Sequence, residues 1–90
     1  MEMRVFDLQT YEYENFIETA KEYAVDESTF ADEAEFLMDA IDNLTKTQFK
    51  GYSKARKKAA VVVDGTAREE IPIKKRLVSY EYDDCAFIIY

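Results

Sequence analysis

The chain has 90 residues, 19 of them acidic and 12 basic, for a net charge of −7 and a pI near 4.5. It has no histidine, no tryptophan and one cysteine, Cys85, which excludes an internal disulfide, imidazole acid–base catalysis, Ser-His-Asp or Cys-His nucleophile pairs and ordinary zinc sites. An apolar content of 48%, with 14% aromatic, suffices for the core of one domain spanning residues 1–90 and leaves no room for two.

Met3-Arg4-Val5-Phe6-Asp7-Leu8 suits a first strand. Thr10 is placed to cap a helix in which Tyr13, Phe16, Ile17, Ala20, Tyr23 and Ala24 share one face at helical spacing. Val25-Asp26-Glu27-Ser28 interrupts that pattern. Thr29, with Asp32 three residues later, is similar to a capping box. Phe30, Ala34, Leu37, Met38, Ile41 and Leu44 then make the cleanest amphipathic stripe in the chain, predicting helix over 30–46.

Residues 46–58 are polar, basic and contain Gly51, the pattern of a loop or a frayed helix end. Ala59-Ala60-Val61-Val62-Val63 fits either a strand or the end of a helix begun at Ser53 and closed by Gly65. The β-branched run followed by Asp64-Gly65 is a hairpin signal. Bases in the first turn of the rival helix would oppose its dipole, so the strand is favoured. Pro72 marks an edge or a strand start.

Leu77-Val78-Ser79-Tyr80-Glu81-Tyr82 and Cys85-Ala86-Phe87-Ile88-Ile89-Tyr90 predict a second hairpin turning at Asp83-Asp84. The last run is nearly all apolar, as a central strand buried on both faces should be. The predicted order is β-α-α-β-β-β-β, an α+β fold with two amphipathic helices packed on one face of a small antiparallel sheet. That order is similar to the one in RelE/ParE-type toxins, with no shared motif.

Charge is segregated along the chain. Residues 1–45 hold 13 acids against Arg4 and Lys21, and residues 46–76 hold ten bases against Asp64, Glu69 and Glu70. Glu14, Glu18 and Glu22 recur at i, i+4, i+8 on the first predicted helix. Glu35, Asp39 and Asp42 form a second stripe, with Asp32 beside it. Like charges at this spacing destabilise a helix by ~0.2–0.5 kcal/mol per pair, so selection for stability alone would alternate their signs. Helical rise puts a carboxylate every ~6 Å along each stripe, within reach of the phosphate spacing of a nucleic-acid strand. Such a face can occupy a basic nucleic-acid-binding groove; the alternative is an ordinary solvated face of an acidic protein.

Other constellations carry less. Val61-Val62-Val63-Asp64-Gly65-Thr66 resembles the nucleophile motif of haloacid dehalogenase-type phosphatases, but Val62 stands where the attacking aspartate must be. No Asp-x-Asp-x-Asp-Gly loop marks a calcium site, and a linear stripe of carboxylates does not converge on a metal. Neither a metal, a cofactor nor a catalytic residue is expected. Cys85, on an apolar strand with no base beside it, reads as a buried inert thiol.

The basic residues Lys46, Lys50, Lys54, Arg56, Lys57, Lys58, Lys74, Lys75 and Arg76 allow a second reading, with Phe49 and Tyr52 interleaved for base stacking. No apolar run reaches the ~18–20 residues of a membrane helix and no signal-peptide core follows Met1, so a cytoplasmic protein with no membrane partner is expected. The leading expectation is a non-enzymatic interaction protein that binds a larger basic, nucleic-acid-binding partner through Glu14, Glu18, Glu22, Asp32, Glu35, Asp39 and Asp42. In character it resembles small acidic phage antagonists, anti-CRISPR proteins among them, which block such sites. Direct nucleic-acid binding is disfavoured by phosphate repulsion from the net charge. The alternative is a toxin-like ribonuclease or nucleic-acid binder using the 46–58 and 74–76 bases. Homodimerisation through the sheet edge or the helices is a further expectation for so small a core.

Overall fold

A computed structural model describes residues 2–26 and 29–90 of the chain. Strand β1 (Glu2–Asp7) leads through a single 3₁₀ turn into helices α1 (Tyr13–Ala24), α2 (Ala31–Asp42) and α3 (Lys46–Lys54). Strand β2 (Lys58–Val63) follows. Two short 3₁₀ turns, Thr66–Glu70 and Ile73–Lys75, precede the hairpin of β3 (Val78–Tyr82) and β4 (Cys85–Ile89). The α+β class, with a helical layer on an antiparallel sheet, is the one the residue pattern predicts.

The four strands lie in the order β1-β2-β4-β3, with every neighbouring pair antiparallel. β1 and β2 are neighbours, paired from Glu2 with Val63 to Asp7 with Lys58, and the three helices form the excursion between them. β2 and β3 run the same way with β4 between them. Residues 64–77 must therefore travel back along the sheet to start β3.

Strand alternation divides the core. Phe6, Val61, Cys85, Phe87 and Ile89 point to one face, where Phe16 and Ala20 of α1, Leu37 and Ile41 of α2 and Phe49 of α3 pack on them. Phe6, Phe16 and Phe49 join edge to face or tilted at 5.5 Å. Truncating the fully buried Phe16 to alanine removes the ring both others lean on, a loss of roughly 3–5 kcal/mol. Ala60, Val62, Ala86 and Ile88 point to the opposite face and are covered by Ile71 of the returning segment, with Met3, Ala67 and Tyr90 around it. That cover explains why β4 is buried along its whole length on both faces, as its composition predicts.

Two arginines hold the returning segment down. Arg68 donates from Nη1 to the carbonyl of Asp83 at 2.7 Å. Arg76 donates to the carbonyls of Ile71 and Arg68 and to the Glu81 carboxylate, at 3.1, 2.7 and 2.9 Å.

Several boundaries differ from the expected ones, each for a local reason. Residues 46–54 form a helix of their own rather than a loop or a frayed helix end, because Thr45 and Gln48 close a reciprocal capping box at 3.1 Å in each direction. The helix predicted over 30–46 accordingly ends at Asp42, and its N-cap is Phe30 rather than Thr29. Thr10 caps no α-helix; its hydroxyl donates to the carbonyl of Asp7, whose own side chain caps the 3₁₀ turn through the Gln9 amide. The break after Ala24 begins at Val25, and the Glu27-Ser28 part of that break lies outside the described residues.

Asp64-Gly65 makes no two-residue hairpin. A type I′ turn needs positive φ at both central positions, and Asp64 has φ 63° while Gly65 is extended at −173°. The chain goes into the Thr66–Glu70 turn instead of a strand. Asp83-Asp84 does make a tight turn, with Tyr82 paired to Cys85 and Asp83 at φ 51°. Among the described residues no helix is long and apolar enough to cross a membrane.

Candidate functional site

Both α1 and α2 bury their apolar stripes on the same sheet face, so their charged sides point the same way, out from the molecule. All seven predicted acids, Glu14, Glu18, Glu22, Asp32, Glu35, Asp39 and Asp42, are exposed.

Three of the seven have protein partners. Glu14 accepts from Lys46 Nζ of α3 at 3.2 Å. A backbone N–H at the start of α1, with Lys46 second, lowers the Glu14 carboxyl below the ordinary glutamate value. Asp42 pairs with Lys21 at 2.7 Å, so the only base within α1 and α2 is used between them. Asp32 accepts a 3.0 Å hydrogen bond from the Tyr82 hydroxyl of β3. The negative oxygen beside it raises the Tyr82 phenol above its usual value. Glu18, Glu22, Glu35 and Asp39 make no ion pair within 4 Å among the described residues. Exposed carboxylates of this kind keep their hydration, and any attraction to a cationic partner adds to binding without a prior internal bond to break.

The carboxylates do not converge. No group of three or more His, Cys, Asp or Glu side chains among the described residues could hold a metal ion. Cys85 is buried in the core, and burial pushes its thiol up, away from the reactive thiolate.

Helix α3 carries the opposite charge. Lys46, Lys50 and Lys54 recur at i, i+4, i+8, so helix formation turns the basic run into an exposed stripe. The aromatic residues offered for base stacking are placed elsewhere. Phe49 is buried against Phe16 and Tyr13, with ring centroids at 5.5 and 5.6 Å, and Tyr52 packs on the same core. Arg76 is committed to the returning segment. Charge pattern alone did not reveal Tyr82 as a neighbour of the acidic face, because fifty residues separate it from Asp32. The Thr45-x-x-Gln48 box was a readable signal for α3. No protein-family model, curated protein or solved structure matches the chain.

Proposed function

We propose that the chain is a small interaction protein that binds a larger basic partner through the outer face of α1 and α2 and blocks a nucleic-acid-binding site on it. One observation carries this reading. Glu18, Glu22, Glu35 and Asp39 are exposed on two helices with a common outward direction, and no base neutralises them among the described residues. Repeated like charge disfavours each helix, and a cationic partner turns that cost into complementarity. An inhibitor of the kind found among phage antagonists, acting in the cytoplasm, is the most concrete form of the reading.

The test is capture of partners from host extract at low and high salt, with native protein and with Glu35→Lys plus Asp39→Lys. Screening at high salt should release the partner, and the double reversal should release it at low salt while the melting temperature is unchanged. A partner held equally by both proteins rules the acidic face out.

The exposed lysine stripe of α3 favours a second reading, contact with nucleic acid through Lys46, Lys50 and Lys54. RNA binding or cleavage lost on Lys50→Glu plus Lys54→Glu would support it. Arg76→Ala is a poor probe of that reading, because its side chain holds the fold together.

A further inference from the structure

The sheet has two free edges, and they are defended differently. β1 carries Arg4 and Asp7, the charged guard usual on an exposed edge. Among the described residues β3 pairs only with β4, and its other side has no strand beside it. Its five residues contain no proline and no lysine, and its one charge, Glu81, is already paired with Arg76. Leu77 at one end is 53% exposed and Tyr82 at the other 42%. On the helix side Val78 and Tyr80 are half buried and border a small cavity of about 50 Å³ next to Leu44 and Gln48. The helical layer meets this edge at Tyr82, whose ring lies on Phe36 of α2.

The sequence along the edge is electrically polar. Lys74, Lys75 and Arg76 precede the strand, and Asp83 and Asp84 follow it. Laid antiparallel on a second copy of itself, the strand brings each basic end to the partner's acidic end, and a two-fold axis makes the contact twice. Laid parallel, it sets like charges together. Register follows from the same logic. An axis at Tyr80 places Ser79 opposite Glu81, whereas an axis at Glu81 would set that carboxylate against itself.

We propose that β3 is a homodimer interface, pairing antiparallel with β3 of a second copy about an axis near Tyr80 to form a continuous eight-stranded sheet. Leu77 and Tyr82 are covered at its ends, and the Lys74-Lys75 and Asp83-Asp84 pairs fix its direction. Both helical layers then lie on the same side of the sheet, so the two acidic faces are presented together.

Sedimentation and light scattering of the full chain test this, with charge reversal on either end. The native protein is a dimer at micromolar concentration. Lys74→Glu plus Lys75→Glu converts it to monomer, and so does Asp83→Lys plus Asp84→Lys, with unchanged circular dichroism in each case. Mixing the two variants restores a dimer containing one copy of each, because both contacts are then of opposite sign. A native monomer overturns the proposal. So does a dimer that survives both reversals, or a pair of monomeric variants that fails to associate on mixing. A native monomer that instead takes up an extended peptide along this edge likewise overturns it, in favour of peptide recognition.

Discussion

The Tyr82 hydroxyl donates to Asp32 across 3.0 Å, tying the last residue of β3 to the first turn of α2. The Tyr82 ring also lies on Phe36, with centroids 5.4 Å apart. Asp32 already suits that position, since a carboxylate in the first turn faces the positive end of the helix dipole. Of the seven acids on the outer face it is therefore the one with the clearest structural duty.

A pH dependence follows from that bond. The Tyr82 phenol is raised in the folded chain because a neutral hydroxyl can donate to the Asp32 carboxylate and a phenolate cannot. A raised group adds stability that is fully present below the unfolded tyrosine value of ~10 and is lost as pH rises through the folded one. Spectrophotometric titration should show one tyrosine ionising late for this reason. Asp32→Asn should bring it back toward the ordinary value, and Tyr82→Phe should remove it. A late-titrating signal unmoved by Asp32→Asn points to burial elsewhere, with Tyr90 the residue to examine.

Helix α3 has its glycine in one place and its left-handed residue in another. Gly51 sits inside the helix, where an added Cβ would meet nothing within 4 Å. Arg56 follows the C-cap at φ 58°, with the Arg56 and Lys57 amides closing back on Ser53 and Tyr52. Glycine is the residue that conformation favours. Gly51→Ala should stabilise the protein by about 1 kcal/mol, and Arg56→Gly by a similar amount of about 1 kcal/mol. Urea unfolding of the single and double variants checks both. A loss of stability in Gly51→Ala would show that the open face of α3 is occupied in solution.

Much of this architecture was legible in the residues. The amphipathic stripes of α1 and α2 and the apolar run of β4 are long-period and short-period patterns that burial imposes directly. Asp64-Gly65 misled because turn chemistry is permissive; the arginine-braced segment after it decides where the chain goes, through contacts distant in sequence. The seven acids were readable as stripes, since helical spacing alone places them. Which of them have partners was not, because Lys46, Lys21 and Tyr82 arrive from other elements.

Cys85 should behave as a masked thiol. Its side chain is fully buried under the helices, and burial raises its ionisation above the ordinary thiol range. Reaction with a thiol-specific disulfide reagent at mildly alkaline pH should therefore be slow in the native protein and fast in denaturant. Phe16→Ala, which weakens the layer above it, should speed labelling in proportion to the stability lost. Fast labelling of the native chain would mean that the helices leave the sheet readily.

Arg76 tests whether the basic segment after β2 serves the fold. Its side chain is 13% exposed, and its three nitrogens reach the carbonyls of Ile71 and Arg68 and the Glu81 carboxylate. Arg76→Ala leaves two backbone oxygens without that donor and frees the segment that carries Ile71 over the sheet. The expected loss is about 3 kcal/mol, given the strength of charge-assisted bonds in a sheltered site. Arg76→Lys should recover less than half of it, because one ammonium cannot reproduce a planar fork with three separated acceptors. Lys74→Ala and Lys75→Ala, exposed neighbours in the single chain, should stay within about 0.5 kcal/mol of the native protein at concentrations where the chain is monomeric. If urea unfolding shows Arg76→Ala as harmless as its lysine neighbours, Arg68 and Ile71 suffice to hold the crossing segment.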